Sequence, residues 1–182
     1  VEKYTYNIAG NTVWRFGITL HFEINTAWEY RYDKYKNTNF EWATYGLSLS
    51  TIGTRINLIN GKNGIPSIGI QVGFKLPILF PDYDIKYVAP RFLLIASKNI
   101  TDKFSVLVNL GANYNGNNAT PTGVYVINLS YSICDKWSTF VENYGNFTPT
   151  TFENRWDGGF AYAVNDNLQL DVYGGAGYND RT

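Results

Sequence analysis

Apolar and polar residues alternate with a period of two along much of the chain. In residues 20–32 the even-numbered positions are aliphatic, aromatic or Thr, whereas the odd-numbered positions include Glu23, Glu29 and Arg31. This period is typical of a β-strand that has two chemically different faces. The same alternation recurs in residues 67–80, 104–114 and 168–178. An apolar face turned inward would predict a soluble barrel, and one turned outward would predict a barrel in lipid.

The pattern predicts strands nearly throughout the chain and no helix. Short turns at one end of the strands and long loops at the other are typical of outer-membrane barrels. The eleven predicted strands are residues 1–8, 12–18, 20–33, 45–60, 65–80, 88–98, 103–114, 123–133, 137–147, 156–164 and 168–178. The predicted tight turns, rich in Gly, Asn and Asp, are residues 60–64, 99–103, 134–136 and 165–167, and the predicted long loops are residues 33–44, 81–90, 115–122 and 148–155.

Two predicted strands depart from simple alternation. Between Leu49 and Ile52 the apolar positions change from odd to even numbers. An extra residue in one strand produces this change, so we expect a β-bulge near Ser50 or Thr51. Residues 91–98 are apolar at both odd and even positions, and the sequence assigns them no faces.

The composition favours lipid as the environment of the apolar face. Only 16% of the residues are charged, against about 25% in a typical soluble domain. The chain contains 15 Tyr, 11 Phe and 5 Trp, and amphipathic aromatic rings are enriched where a membrane meets water. The predicted polar faces carry mainly Gly, Ser and Asn, which suits an enclosed lumen. The net charge is zero and no basic run is present, which argues against a nucleic-acid partner.

Residues that could support catalysis or metal binding are scarce. His21 is the only histidine, and it has no Ser or Asp beside it in a catalytic pattern. Cys134 is the only cysteine and can form neither an internal disulfide nor a metal site alone. The two aspartates of residues 81–86 fall short of a calcium-binding pattern. We therefore expect no enzymatic activity and no cofactor.

Four stretches carry a family resemblance: residues 14–24, 53–59, 135–145 and 156–180. They resemble a family of bacterial outer-membrane barrels labelled as transporters or as proteins of the meta-pathway of phenol degradation. The resemblance covers most of the chain and is densest toward its C-terminus. It implies an all-β, transmembrane, antiparallel up-and-down β-barrel that is located in the bacterial outer membrane.

The resemblance also bears on the strand count and on the ends of the chain. The family ends with a closing strand that finishes on an aromatic residue, whereas this chain ends in the sequence GYNDRT. Eleven strands plus a closing strand would give about twelve, an even number as bacterial barrels require. We therefore expect residues 1–182 to be one barrel domain that is incomplete at its C-terminus. The family also begins with one more extended segment, so the domain could be incomplete at its N-terminus as well.

Charged residues on the predicted polar faces are the candidate functional residues. They either form a constriction that selects solutes by sign and size, or pair with one another as a structural network, and the two roles are compatible. We expect a mixed-sign cluster near the short-turn end, with Asp157 and Asp171 brought together by their hairpin. The candidates are Arg15, Glu23, Asp157, Asp171, Arg55, Lys75, Glu29, Arg31 and Glu142, of which the first four fall at positions that match the family pattern.

A geometric prediction separates the lipid-facing interpretation from a soluble core. A set of apolar side chains should be exposed in the isolated protein, and Glu23, Gln71 and Asp171 should lie on the opposite, interior face. The apolar set comprises Leu20, Phe22, Ile24, Ile70, Val72, Phe74, Val106, Val108 and Leu170.

Three functions remain open on the sequence alone. The first is a passive channel or transporter for small solutes, apolar ones included. The second is a structural or partner-binding barrel with a plugged lumen, a subunit of an envelope complex. The third is a soluble ligand-binding barrel. The first two imply outer-membrane lipid as a partner, and the second adds other envelope proteins.

Overall fold

The structure, a computed structural model, describes residues 4–37, 40–62, 64–165 and 168–181. In these residues it contains ten β-strands, arranged as one antiparallel up-and-down sheet in chain order. No helix in the described part of the chain is long and apolar enough to cross a membrane. The strands are β1 (Tyr4–Thr19), β2 (Phe22–Asn37), β3 (Phe40–Ile59), β4 (Ser67–Lys75), β5 (Ala89–Asn99), β6 (Phe104–Asn113), β7 (Thr122–Ser132), β8 (Trp137–Phe147), β9 (Thr151–Asn165) and β10 (Leu168–Arg181), and a single 3-10 turn spans Pro81–Tyr83.

The first two predicted strands are one continuous strand, so the prediction of eleven was wrong for the described residues. Strand β1 pairs with β2 without interruption from Tyr4 opposite Lys36 to Gly17 opposite Glu23. Gly10 favours a turn by itself, but its place in this ladder keeps the backbone extended. The hairpin turn lies at residues 20–21, so Leu20 belongs to the turn and not to the strand.

Two of the predicted long loops are largely strand. Residues 33–37 and 40–44 pair across β2 and β3, and the Lys34 Nζ to Glu41 Oε1 distance is 2.6 Å. Strand β9 begins at Thr151, which leaves only residues 148–150 as a connection. Cross-strand ion pairs and hydrogen bonds hold these polar segments extended. The long connections in the structure are residues 76–88 and 114–121.

The predicted change of parity in β3 is confirmed, and its cause is a bulge at Ser48. Glu29 pairs with Leu49 and the next residue, Tyr30, pairs with Leu47, so Ser48 is the extra residue. Tyr45 is exposed before the bulge and Ile52 after it. In β5 the sequence could not assign the two faces, and the structure does. Phe92 and Leu94 are exposed, whereas Leu93 and Ile95 are buried.

The chain forms two compact units. Unit 1 comprises Val1–Ile56, Val72–Arg91 and Tyr114–Thr120. Within it, β1 and β2 present exposed apolar side chains on one face, which we call the apolar face. Arg15, Glu23 and Asn25 lie on the other face, the polar face. The exposed apolar residues on the apolar face of this pair of strands include Ile8, Trp14, Phe16, Ile24, Trp28 and Tyr30, whereas Val13, also exposed, lies on the polar face opposite Ala27.

Unit 2 comprises Asn57–Gln71, Phe92–Asn113 and Pro121–Thr182. Its strands also have an exposed apolar face, and Leu93, Ile95 and Val124 form a small buried cluster. Val124 pairs with Gly111 and Asn146, on the face opposite the exposed residues. The exposed apolar residues of β6 to β9 include Val108, Leu110, Ile127, Leu129, Val141 and Phe160.

The exposure prediction is confirmed for five of its nine residues. Leu20, Ile24, Phe74, Val108 and Leu170 are exposed, between 39% and 90%. The other members of the set are intermediate, and none of the nine is buried. On the opposite face, the expected enclosure holds in part: Glu23 and Gln71 are half-buried, but Asp171 is exposed.

Candidate functional site

The nine predicted charged residues fall into two groups, one in each unit. Six lie in unit 1 and three in unit 2, so whether all nine form a single cluster stays a prediction. The first group is Arg15, Glu23, Glu29, Arg31, Arg55 and Lys75, and the second is Glu142, Asp157 and Asp171.

Arg15 and Glu23 lie on the same face beside the β1–β2 turn, as predicted. Glu23 pairs with Gly17, and Arg15 pairs with Asn25, which places the two charges diagonally across the hairpin. The Arg15 Nε to Glu23 Oε1 distance is 4.0 Å, and the Arg15 side chain is 66% exposed. A pair this open contributes about 0–1 kcal/mol to stability. Arg55 is the direct cross-strand neighbour of Glu23 in β3.

A tighter charged group surrounds Glu29 on the polar face. Its Oε1 atom lies 2.9 Å from Arg31 Nη2 and accepts a hydrogen bond from Ser48 Oγ at 2.7 Å. Ser48 is the bulge residue, so the bulge brings a hydroxyl onto this carboxylate. Lys75 interacts electrostatically with both Glu29 and Arg31. The group therefore holds two cations around one largely enclosed carboxylate.

The segment that follows β4 lies against β3. The Leu76 amide donates to the Ser50 carbonyl at 2.8 Å, and the Phe80 amide donates to the Leu47 carbonyl at 3.1 Å. Strand β4 was predicted to continue to residue 80, but its regular pairing ends at Lys75. The backbone continues beside β3 through these two hydrogen bonds, and Pro77 between them has no amide hydrogen to donate.

The 3-10 turn that follows is fixed to the polar face by two side-chain hydrogen bonds. Tyr83 Oη donates to Asp33 Oδ2 at 2.9 Å, and Thr44 Oγ1 donates to Asp82 Oδ2. Asp33 and Thr44 are cross-strand partners, two residues beyond Arg31 and on the same face. Thr44 is only 2% exposed. Residues 81–83 thus cover the polar face at the end where β2 meets β3.

The same connection is held at its far end by the loop between β6 and β7. The Tyr87 amide donates to the Gly116 carbonyl at 2.9 Å, and the Lys86 amide donates to Asn117 Oδ1 at 3.3 Å. Ile85 is buried between these contacts. Gly116 has φ +82°, and a Cβ there would lie 2.7 Å from the Tyr87 carbonyl oxygen. Only glycine fits this approach without strain.

Tyr83 offers a test of this attachment by pH. Partial burial and the hydrogen bond to Asp33 raise the pKa of Tyr83 above its ordinary value of 10.0. Because the pKa of Tyr83 is raised in the folded state, its attachment contributes its full stability below pH 10. This contribution is lost as the pH rises through the raised pKa. We expect the ultraviolet difference titration between wild type and Tyr83→Phe to show one tyrosine ionising above pH 10. A difference transition at or below pH 10 would contradict the attachment.

In unit 2, polar side chains cross three strands on one face. Asn128 Nδ2 donates to Glu142 Oε2 at 3.1 Å, and Ser130 Oγ donates to Asn128 Oδ1 at 2.7 Å. Glu142 pairs directly with Asp157 across β8 and β9. Asp157 Oδ1 is buried and has no hydrogen-bond partner among the described residues. Two carboxylates therefore face each other with one oxygen unsatisfied.

This arrangement predicts that a charge can be removed without loss of stability. Like charges directly opposite in a sheet are destabilising, so we expect Asp157→Asn to raise the free energy of unfolding by about 0.5–1 kcal/mol. The measurement is the midpoint of urea unfolding of the reconstituted full-length protein, with Asp102→Asn, in an exposed turn, as the control. A clear loss of stability in Asp157→Asn would instead show that a cation pairs with this carboxylate.

Asp157 and Asp171 are not brought together, so that part of the predicted cluster was wrong. Asp157 pairs with Gly175, whereas Asp171 pairs with Ala161, four residues further along β9. At roughly 3.3 Å per residue this is about 13 Å along the strand. Asp171 lies close to the start of β10 at Leu168, whereas Asp157 lies much further from the end of β9 at Asn165, so the two residues are at different distances from the turn. Asp171 accepts a hydrogen bond from Gln169 Nε2 at 2.8 Å.

The sequence reasoning missed Arg155 and Glu153, which form an ion pair at 3.3 Å. Glu153 also accepts a hydrogen bond from Asn146 Nδ2 at 3.2 Å. Both residues lay in a predicted loop. Extending the alternation of β9 toward its N-terminus would have placed them on the face of Asp157.

A hollow of about 450 Å³ lies on this face beside Asp157. It combines two phenol rings and two charged groups, with glycines that leave room for a small solute. The lining residues are Tyr144, Arg155, Asp157, Tyr173, Gly174, Gly175, Ala176 and Gly177.

Comparison with known proteins gives one family. No curated protein matches the chain significantly. The model of the family described as "Putative MetA-pathway of phenol degradation" matches residues 4–182, which is the family suspected from the sequence. The match covers nearly the whole chain, and the chain therefore belongs to this family.

Proposed function

We propose that this protein is a bacterial outer-membrane β-barrel that acts as a passive channel or transporter for small solutes. The observation that carries the proposal is the exposure of four of the five tryptophans, each between 42% and 56%, on the apolar face of their unit: Trp14, Trp28, Trp137 and Trp156. Tryptophan in a soluble protein is highly buried on average. Side chains such as Thr44, Ser48 and Ser50 are buried instead. This distribution suits a protein whose outer solvent is lipid.

The strand lengths support a membrane-crossing role. A transmembrane strand needs about 9–11 residues at a tilt. Strands β4 to β8 contain 9, 11, 10, 11 and 11 residues. The longer β2 and β3 end in the Lys34–Glu41 ion pair, which suits a hairpin that extends beyond the membrane into water.

The polar faces supply a path for solutes. In unit 1 the group around Glu29 joins hydroxyl, carboxylate and cationic side chains on one face. In unit 2 the hollow beside Asp157 adds two tyrosines. Polar and charged side chains that line a lumen select by size and charge. The family description names phenol degradation, so small aromatic compounds are the first solutes to test. We assign no catalytic step to these residues.

Fractionation and reconstitution test the proposal in two steps. The full-length protein should be recovered with outer membranes and should migrate differently on a gel before and after heating. Reconstituted into planar bilayers it should give discrete conductance steps, and vesicles that contain it should take up small aromatic solutes faster than empty vesicles. Recovery in the soluble periplasmic fraction would instead favour a soluble ligand-binding barrel.

A second candidate is a structural or partner-binding barrel of the envelope. Two features favour it. The 3-10 turn covers the polar face of unit 1, and within unit 2 the cluster of Leu93, Ile95 and Val124 is buried on the face opposite the exposed apolar side chains. Membrane insertion without conductance or solute flux, together with co-purification of an envelope protein, would select this candidate.

A further inference from the structure

The connection between β4 and β5 is anchored at three places in unit 1. The Phe80 amide is bound to β3, Asp82 and Tyr83 are bound to the Asp33–Thr44 pair, and Tyr87 is bound to the next loop. Most connections of this length run over the surface and make few such contacts. This one is held near its start, at its 3-10 turn and near its end.

We propose that the connection of residues 76–88 forms a fixed constriction on the polar face through its 3-10 turn, residues 81–83, and sets the size limit for solutes. The inference rests on the proposed function, because it takes the polar face as the wall of the lumen. Asp33 and Thr44 lie on that face. Arg31 and Glu29 lie on the same face, two and four residues before Asp33 in β2. The 3-10 turn is bound on this face. It narrows the space in front of these residues and does not extend the hairpin outward.

The local packing indicates a fixed element. Gly46 has φ +148°, and a Cβ at this position would overlap the Phe80 ring. Glycine at position 46 thus permits the segment to approach β3 closely. Thr44, Ile85 and Ala89 are each 5% exposed or less, so the segment contributes buried contacts that a swinging loop would have to give up.

The constriction also lies next to the charged group around Glu29. Arg31 precedes Asp33 by two residues on the same face, and Lys75 immediately precedes the segment. A solute that passes the 3-10 turn therefore meets two cations and one carboxylate at once. The segment supplies a size limit, and these charges act on the small solutes that pass it.

Thiol labelling tests the constriction independently of conductance. The full-length protein carries Cys134→Ser, which removes the exposed native thiol, and Ala27→Cys, which places a thiol on the polar face of β2 opposite Thr51. Intact cells are treated with a small and with a bulky membrane-impermeant maleimide. The small reagent should label the thiol, and the bulky reagent should label it much more slowly. Equal labelling by the two reagents would overturn the proposal.

Loosening the attachment should raise labelling by the bulky reagent. Tyr83→Phe removes only the hydroxyl that donates to Asp33, and loss of one hydrogen bond should raise the rate about fivefold. Asp82→Asn weakens the second attachment and provides an independent variant. Tyr87→Phe is the matched control, since it makes the same change in the same segment at a 68% exposed ring. If the ratio of the labelling rates of the two reagents were the same in Tyr83→Phe and in Asp82→Asn as in the parent protein, the constriction would be overturned.

The outcomes separate this inference from the channel proposal. Size-dependent labelling in a protein without conductance would uphold the constriction and refute the channel. Conductance together with labelling that does not depend on reagent size would uphold the channel and refute the constriction. A gel shift on heating establishes that each variant is folded.

Discussion

Ile127→Arg should destabilise the membrane-inserted protein by about 2–4 kcal/mol, whereas Ile133→Arg should cost about 0–1 kcal/mol. Ile127 lies at the centre of β7 and is 42% exposed; Ile133 follows the end of the same strand and is 44% exposed. In water both positions would tolerate arginine, because surface substitutions usually change stability by less than about 0.5 kcal/mol. In a bilayer the central position lies in hydrocarbon, and a guanidinium group there is costly.

The measurement is urea unfolding of the full-length protein in lipid vesicles, followed by tryptophan fluorescence. The two variants make the same substitution at similarly exposed positions, so they differ mainly in depth. Equal and small losses in both would contradict a lipid-facing β7. Equal and large losses would show that Ile127 and Ile133 both pack against protein.

Glu29→Gln should lower the free energy of unfolding by about 2 kcal/mol, whereas Arg15→Gln should lower it by less than about 1 kcal/mol. The Glu29 carboxylate is 16% exposed and is bound by Arg31 and Ser48. Its loss leaves the Arg31 guanidinium without its ion-pair partner and removes the negative charge that favours the Lys75 ammonium. Arg15, in contrast, is largely exposed and lies at the limit of ion-pair distance from Glu23.

The same pair of variants separates a structural network from a charge filter. A network predicts the loss of stability in Glu29→Gln, measured by the same unfolding assay. If Glu29 acts only as a charge filter, Glu29→Gln should leave the free energy of unfolding unchanged. The reversal potential measured across the bilayer should then show higher anion selectivity, because a negative charge has been removed. Equal losses of stability in Glu29→Gln and Arg15→Gln would contradict the central position of Glu29 in the group.

The strand pattern could be predicted from the sequence wherever alternation was regular and bounded by turns. Strand β6 was predicted at residues 103–114 and spans Phe104–Asn113, because a tight turn precedes it and its even-numbered positions are all apolar. The parity change in β3 was also visible. Its bulge, predicted near Ser50 or Thr51, lies two or three residues earlier at Ser48, since the position of the extra residue is set by the pairing with Glu29.

The errors share a physical cause, which is pairing between strands. The turn propensity of Gly10 and the polar character of residues 33–44 predicted breaks that the ladders of β1, β2 and β3 override. For the same reason Asp157 and Asp171 were predicted to be neighbours, although the register of β9 and β10 separates them.

The candidate site was only partly predictable. The sequence identified the charges of the polar faces and the juxtaposition of Arg15 with Glu23. It gave no indication that Tyr83 reaches Asp33, because the two residues are separated by fifty positions and meet only after β2, β3 and the following segment have folded. Contacts of this kind carry no local periodicity.

Quenching of tryptophan fluorescence tests the central claim, that the apolar face contacts lipid, most directly. By their strand pairing, Trp14 and Trp28 lie on the apolar face of unit 1 and Trp137 and Trp156 on the apolar face of unit 2, and all four are exposed. Full-length protein in vesicles with brominated acyl chains should lose most of its fluorescence, and aqueous iodide should quench it weakly. Strong quenching by iodide with little effect of the brominated lipid would contradict the claim.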